Sequence, residues 1–211
     1  KIKELMPGKK CVDFVIAQDE YLIFIDAKGV ELSDDARSTH LPELIKRKTK
    51  NSILKAIEQS YSVYENLGLL DPLLNVSREE AIPYLLVVTH KEHYLGDGEV
   101  FSGIIAPDKI SKIRQDYPSV KIPEHNMYFI TIDEFDQLAE SVRTGKTTFV
   151  DFMKQVIEAD REPSTKKFSF QLHLESLGCN LNSEHLMDVN DEVLDSLAQA
   201  FPEAGRQECD A

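Results

Sequence analysis

The sequence is poor in several features that mark particular classes of protein. It has no tryptophan and only three cysteines in 211 residues. The cysteines, Cys11, Cys179 and Cys209, are odd in number and show no CxxC spacing, which predicts reduced thiols rather than a disulfide framework. No apolar run approaches the length of a membrane span, and the N-terminal KIKELMPGKK lacks the apolar core of a signal peptide. We therefore expect a globular protein of the cytoplasm that does not enter a membrane.

Positive charge is also scarce. The chain carries 24 Lys and Arg against 37 Asp and Glu, and its net charge of −13 argues against a general nucleic-acid binder. The charge is unevenly spread, because residues 1–60 hold 11 basic and 10 acidic residues whereas the remainder holds 13 and 27. A polyanion would have to be met by the N-terminal part, or by a partner that supplies positive charge.

The most informative stretch is 12–28, which reads VDFVIAQDEYLIFIDAK. Two apolar runs flank a short polar patch, a pattern typical of two strands joined by a turn. The turn is expected at Asp19-Glu20, or as a four-residue loop over 18–21. Either choice makes residue numbers across the hairpin sum to 39, so that Asp13 faces Asp26.

The two acids that face each other, Asp13 and Asp26, are candidates for a functional site. Directly opposed residues project from one face with Cβ atoms about 4.5–5.5 Å apart. Lys28, two residues beyond Asp26, projects from that face as well. Two like charges that face each other destabilise an apolar hairpin unless a divalent cation compensates them. Asp13, Asp26 and Lys28 are thus candidates for metal-assisted hydrolysis, and the alternative is a pair of strand-end surface acids.

A run of basic residues lies between Glu43 and Glu58 without an acid among them. Apolar residues from Ile53 to Tyr64 follow helical spacing, so the basic run is expected at the start of this helix. Positive charge at a helix start is unfavourable for the dipole, which favours an anionic ligand there over a simply solvated helix start. This basic cluster consists of Lys46, Arg47, Lys48, Lys50 and Lys55.

The remaining segments predict an α/β fold with a mixed central sheet flanked by helices. Strands are expected over 83–90 and 126–133, and helices over 108–117, 134–142, 149–159 and 191–201. Residues 91–103 are interpreted as a loop. Residues 163–185 are ambiguous, although SFQLHL at 169–174 alternates like a strand. We divide the chain into a main domain at 1–160, an extension at 161–201 that packs on the core or on a partner, and a disordered tail at 202–211.

The order of these features resembles the PD-(D/E)xK nuclease superfamily, to which restriction-endonuclease-like and RecB-like enzymes belong. In that family one acid lies on a strand and a (D/E)xK triplet on the next, as do Asp13 and Asp26-Ala27-Lys28. A helix with a glutamine follows in RecB-like members, and Gln59 occupies that position. The resemblance covers residues 10–135, although Val12 stands in place of the proline and the family's first helix is missing or short.

The resemblance implies a restriction-endonuclease-like core and specific roles. Asp13, Asp26 and the backbone carbonyl of Ala27 would bind Mg²⁺ or Mn²⁺. Lys28 would position or deprotonate the attacking water, and Gln59 would orient water or a ligand carboxylate. The basic cluster would hold the phosphate backbone of the nucleic acid.

These features together lead us to expect a Mg²⁺-dependent endonuclease that hydrolyses phosphodiester bonds, with DNA as the first choice of substrate. Prokaryotic defence or restriction is the role that such enzymes commonly have. We also expect a partner subunit or a homo-oligomer, because a surface this acidic binds a polyanion weakly by itself. Two alternatives stay open, namely a non-catalytic nuclease-fold subunit of a larger complex and an RNA-directed nuclease such as a tRNA-cleaving enzyme.

Overall fold

The structure is a computed structural model that describes residues 2–29, 42–49, 52–70, 74, 81–91, 95, 97–181, 193 and 196. Its helices, in chain order, are α1 Ile2–Leu5, α2 Pro42–Thr49, α3 Ile53–Glu65, α4 Gly98–Val100, α5 Pro107–Asp116, α6 Ile132–Arg143, α7 Phe149–Arg161 and α8 Phe170–Ser176. A π-helical turn at Phe101–Ile105 follows α4, and short 3₁₀ turns lie at Leu67–Leu69 and Glu124–Asn126.

A four-stranded mixed sheet lies at the centre of the fold. The strands are β1 Phe14–Gln18, β2 Tyr21–Lys28, β3 Ile82–Thr89 and β4 Met127–Thr131, and they lie side by side in that order. β1 is antiparallel to β2, whereas β2, β3 and β4 run parallel. The predicted α/β class with a mixed sheet flanked by helices is confirmed.

The predicted hairpin of β1 and β2 is confirmed in its turn and its register. Gln18 pairs with Tyr21, which leaves Asp19-Glu20 as a two-residue turn, and Val15 pairs with Phe24. Asp19 has a φ of 52°, a left-handed conformation that aspartate tolerates better than most residues. Residue numbers across the hairpin sum to 39 as expected, so Asp13 and Asp26 lie at corresponding positions.

Helices cover both faces of the parallel strands. Even-numbered residues of β2, such as Leu22 and Phe24, pack with α3 and α5 in one core. Odd-numbered residues, such as Ile23, pack with α6, α7 and α8 in a second core. Because side chains alternate along a strand, Asp26 and Lys28 fall on the α3 side of the sheet.

Local capping positions the helices of the second core. Thr131 begins α6 with a capping box, in which its hydroxyl accepts from the Glu134 amide at 3.1 Å and its own amide donates to the Glu134 carboxylate at 2.7 Å. Thr148 caps α7 in the same way by accepting from the Asp151 amide at 3.0 Å. Both helices pack in the second core with residues of β3 and β4.

Two predictions about secondary structure were wrong, and one ambiguous segment is resolved. The segment 169–174 is not a strand, because it forms most of α8, with Phe170 and Leu174 buried one helical turn apart. The loop predicted over 91–103 contains α4 and the start of the π-helical turn; a side chain at Gly98 would collide with the Glu124 carbonyl and with Met127. The basic residues 46–48 belong to α2, a separate helix that ends before α3 begins.

Some predictions fall outside the described residues. These are the helix over 191–201, apart from residues 193 and 196, and the disordered tail at 202–211. The domain boundaries therefore stay a prediction. Within the predicted extension, α8 packs into the second core beside α7.

Candidate functional site

The predicted site residues lie at the carboxyl end of the parallel strands, where α/β proteins commonly bind ligands. Lys28 ends β2 and pairs in register with Thr89, which ends β3. The hydroxyl of Thr89 lies within hydrogen-bonding distance of the backbone carbonyls of Lys91 and Ile130, so it closes this edge without being free to hold a ligand. We call the group Asp13, Asp26, Ala27, Lys28 and Gln59 the hairpin site.

Asp26 is the most unusual residue of the hairpin site. Its side chain has no exposed surface, and the ammonium of Lys28, whose side chain is 16% exposed, forms an ion pair with its Oδ2. Apart from this ammonium contact at Oδ2, the described part of the chain provides no hydrogen-bond donor to the carboxylate. Oδ1 therefore stays without a partner, which is costly in a protein interior.

The pKa of the Asp26 carboxyl reflects this environment. Burial raises it above its usual value of 3.8, the Lys28 ammonium lowers it, and the neighbouring Asp13 carboxylate raises it again. The balance is a raised pKa, because the loss of water around the carboxylate outweighs the attraction of Lys28.

Asp13 lies beside Asp26 but in a different environment. It directly precedes β1 and is exposed, and its Oδ2 accepts a hydrogen bond of 3.0 Å from the backbone amide of Ala27. This bond turns the Asp13 carboxylate toward the end of β2. The hairpin register therefore brings the two acids together, although only Asp26 is buried.

Gln59 connects the hairpin site to α3. Lys28 Nζ donates to Gln59 Oε1 at 3.0 Å, and the Gln59 amide nitrogen donates to the backbone carbonyl of Cys11. Because the Cys11 carbonyl takes the amide nitrogen, the Gln59 oxygen is turned toward Lys28. Next to Gln59, Glu58 pairs with Lys10 at 2.6 Å and further ties α3 to the segment before β1.

Sequence reasoning missed the contribution of Cys11. Its side chain is buried. Its backbone carbonyl nevertheless fixes the orientation of Gln59. No pattern of side chains indicates a backbone contact of this kind, so the sequence carried no signal for it.

The basic cluster is only partly described. The side chains of Lys46 and Lys48, and the whole of Lys50, lie outside the described residues. Arg47 and Lys55 are exposed, and neither makes an ion pair or hydrogen bond with the hairpin site among the described residues. Arg47 lies in the second half of α2, where positive charge is favourable for the helix dipole. The dipole argument for an anion at this place was therefore wrong, while the nucleic-acid contact stays a prediction.

Other features of the described ranges set limits on the site. No three His, Cys, Asp or Glu side chains in these ranges converge into a group that could hold a metal ion. A cation at the hairpin site would thus depend on two carboxylates, backbone oxygen and water.

None of the described helices has the length and apolar character needed to cross a bilayer.

Comparison with known proteins gives no match for this chain, whether against family models, curated proteins or solved structures.

Proposed function

We propose that this protein is a metal-dependent nuclease that hydrolyses phosphodiester bonds, with DNA as its first substrate class. The observation that carries the proposal is the fully buried Asp26 carboxylate, which is paired with Lys28 and lies beside Asp13 at the carboxyl end of the parallel strands. Perturbed carboxyl groups of this kind are enriched at functional sites. The resemblance of Asp13 and Asp26-Ala27-Lys28 to the PD-(D/E)xK pattern supports the same chemistry.

The residues fit a hard divalent cation. Asp26 Oδ1 has no hydrogen-bond partner in the described part of the chain, and Asp13 places a second carboxylate close by. Mg²⁺ prefers oxygen ligands and keeps several waters, so one or two carboxylates suffice to hold it. Asp13, Asp26 and the Ala27 carbonyl would bind Mg²⁺ or Mn²⁺. The ion would supply Lewis-acid polarisation of the phosphodiester and a lowered pKa for water.

Lys28 has two tasks in this mechanism. In the structure its ammonium neutralises Asp26, and it therefore competes with an added cation for the same carboxylate. It also holds protons at Nζ beside the reacting phosphate, where positive charge stabilises the negative charge that develops on the phosphate oxygens. Gln59 keeps the ammonium at this position through the 3.0 Å hydrogen bond to its Oε1.

Asp13 and the hairpin backbone orient the site. Since the Ala27 amide donates to Asp13, the end of β2 and the start of β1 hold a fixed relation to each other. A preorganised carboxylate needs less reorganisation when it binds a ligand, which lowers the cost of assembling the reactive geometry. The basic cluster would contribute phosphate contacts beside this site, and a partner subunit or second copy would add positive charge.

The proposal is tested by cleavage of plasmid DNA, single-stranded DNA and RNA with Mg²⁺, Mn²⁺ or EDTA. Asp26→Asn and Lys28→Met should each lower the cleavage rate by about 10²-fold or more, as expected for lost electrostatic stabilisation. Asp160→Asn, at a partly buried acid of α7, and Lys10→Met, at an ion pair near Gln59, are matched controls that should keep the activity.

The outcomes separate the alternatives. Unchanged cleavage by either hairpin-site variant, or equal loss in the controls, would contradict the assignment of the site. Cleavage of RNA but not DNA would identify an RNA-directed nuclease. The alternative is a non-catalytic subunit, in which the Asp26–Lys28 ion pair has no chemical role. That reading predicts no cleavage with any metal and no metal-dependent stabilisation.

A further inference from the structure

The first strand of the sheet has one open side. β1 is the outermost strand, and in the part of the chain that the structure describes no strand pairs with its other side. It reads FVIAQ, with no charged residue and no proline, and it pairs with β2 without a bulge. Natural sheets protect their edges with charges, prolines or bulges, because an open edge pairs readily with another strand. The edge at β1 has none of these three protections.

The backbone of β1 can bond a further strand. A two-residue turn is closed by a hydrogen bond between the residues that flank it, which here are Gln18 and Tyr21. Bonded and non-bonded pairs alternate along an antiparallel ladder, so the even-numbered residues of β1 direct their amides and carbonyls toward β2. The amides and carbonyls of Val15 and Ala17 therefore point to the open side. Backbone groups of this kind are what an added strand binds.

The side chains on one face of β1 are apolar and exposed. Phe14 and Ile16 are 61% and 45% exposed, and they lie opposite Ile25 and Ile23 of β2, on the face that carries the second core. The second core is built from the other three strands and from α6, α7 and α8, and it holds no residue of β1. Exposed apolar surface beside an open edge is typical of a site of protein association.

β1 is complementary to a second copy of itself. In an antiparallel pair whose residue numbers sum to 30, Phe14 of each copy lies opposite Ile16 of the other, and Val15 lies opposite its own counterpart. An aromatic side chain opposite a β-branched one is a favourable cross-strand pair. The two pairs would cover all four exposed apolar side chains on that face. A charged partner, in contrast, gains nothing from a strand that carries no charge.

The residues around β1 select this register. Only even sums set the residues that direct their backbone groups outward opposite each other. A sum of 32 would place Asp13 opposite Asp19 of the other copy, and like charges directly opposed are destabilising. A sum of 28 would place Ile16 opposite Val12, which is already buried. With a sum of 30, Asp13 lies opposite the uncharged Ala17.

We propose that two copies of this chain associate by antiparallel pairing of β1, with Phe14 opposite Ile16, and form one eight-stranded sheet. Opposed residues project from the same face, so both hairpin sites lie on one face of this sheet. The two Asp13 residues are four residues apart along the strands, or about 14 Å. One strand pair buries little area, so the dimer is weak and dissociates on dilution. The pairing does not depend on the proposed nuclease activity.

The test measures the molar mass of the wild type by sedimentation over a wide range of protein concentration. We expect one chain at low concentration and two at high concentration. Ile16→Lys places a charge inside the strand pair and should raise the dissociation constant about tenfold or more. Ile104→Lys is the matched control, because it makes the same change at an isoleucine that is 64% exposed in the π-helical turn. Since each copy has a net charge of −13, added salt should strengthen association of the wild type.

Disulfide trapping tests the register. Phe14 and Ile16 form the non-bonded kind of pair, whose Cα atoms lie about 4.5 Å apart, within the range that a disulfide spans. A mixture of the Phe14→Cys and Ile16→Cys chains, both carrying Cys209→Ser, should form a mixed disulfide dimer with oxidised glutathione. Each chain alone should not, because the same position does not face itself in this register. The natural Cys11 and Cys179 are buried.

Four results would overturn the proposal. The wild type could stay monomeric at every concentration, which would mean that β1 is covered in another way. Ile16→Lys and Ile104→Lys could associate equally, or salt could dissociate the dimer, and either result would place the interface elsewhere. Cross-linking of the Ile16→Cys chain alone would indicate the register with a sum of 32. Melting temperatures at low concentration check that every variant folds.

Discussion

Replacing Asp26 by asparagine should stabilise the protein increasingly as the pH rises. Burial holds the pKa of the Asp26 carboxyl above 3.8 despite the Lys28 ammonium. Well below pH 3.8 the carboxyl is protonated in both the folded and the unfolded chain, so its ionisation does not affect stability. Between 3.8 and the raised pKa, the unfolded chain loses its proton first, and the unfolding free energy of the wild type falls. Above the raised pKa this loss is complete and constant.

The size of the effect follows from the pKa shift itself. Each unit by which folding raises the pKa removes about 1.4 kcal/mol from the unfolding free energy at neutral pH. Asparagine has nearly the same shape and does not ionise. The unfolding free energy of the variant therefore does not fall in this way. Its amide group also changes the packing, but that contribution is the same at every pH. The pH-dependent part of the difference between variant and wild type therefore reports the Asp26 carboxylate alone.

The measurement is urea unfolding of both chains from about pH 3 to pH 8. Asp160→Asn is a control of opposite sign. Burial raises the pKa of Asp160, but hydrogen bonds from His173, the Lys167 amide and Tyr128 outweigh burial and leave the pKa lowered. Wild type should thus gain stability over Asp160→Asn as the pH rises toward 3.8 and keep it above. A difference for Asp26→Asn that stays flat or falls with pH would refute the reasoning, because Lys28 would then compensate Asp26 fully.

Three further predictions concern the proposed metal and nucleic-acid contacts. Lys28→Met should abolish cleavage yet increase the Mg²⁺-induced rise in melting temperature, because the competing ammonium is gone; a smaller rise than in wild type would contradict the competition. Asp13→Asn should remove most of the Mg²⁺-induced rise, and an unchanged rise would exclude Asp13 as a ligand. Replacing Lys46, Arg47 and Lys48 by alanine should weaken DNA binding and flatten its salt dependence, by about 0.9 in slope for each lost phosphate contact; equal slopes would indicate a solvated helix surface.

The hairpin could be predicted because its determinants are local. Alternating and continuous apolar runs define β1 and β2, and a two-residue turn then fixes every pair between them, including the correspondence of Asp13 and Asp26. The difference in burial between the two acids could not be predicted. It arises because α3 covers the end of β2 but leaves the start of β1 open, and that covering is a tertiary feature.

The sequence predicts the basic residues 46–48 at the start of α3, whereas the structure places them on α2. Ser52 directly precedes α3, but its side chain makes no capping hydrogen bond to that helix. Its hydroxyl, however, donates to the Thr49 carbonyl at 3.1 Å, and its amide does the same at 3.1 Å. These bonds close a turn after α2 and place residues 46–48 on the earlier helix. The sequence contains no proline or glycine there to mark the boundary.

The sequence of α8 leaves its secondary structure ambiguous for a different reason. Six residues that alternate between polar and apolar fit a strand as well as a short helix, so periodicity alone does not decide between them. Tertiary contacts decide it here. Phe170 packs into the second core, and His173, one turn along, places its Nε2 3.1 Å from Asp160 Oδ1 of α7. The partner that selects the helix is thus distant in sequence.

The Asp26–Lys28 pair is not what the fold itself requires. Leu22 and Phe24 occupy the same face of β2 and are fully buried, so an apolar side chain at position 26 would suit the strand. Replacing a buried ion pair by apolar residues is often neutral or stabilising, and residues that break a local rule concentrate at functional sites. The metal-dependent nuclease and the non-catalytic subunit then differ in one expected result, the response of the protein to metal ions. If Asp26→Asn is more stable and loses its response to metal, the carboxylate serves metal binding; if it is more stable and neither it nor wild type responds to metal, the non-catalytic reading is favoured.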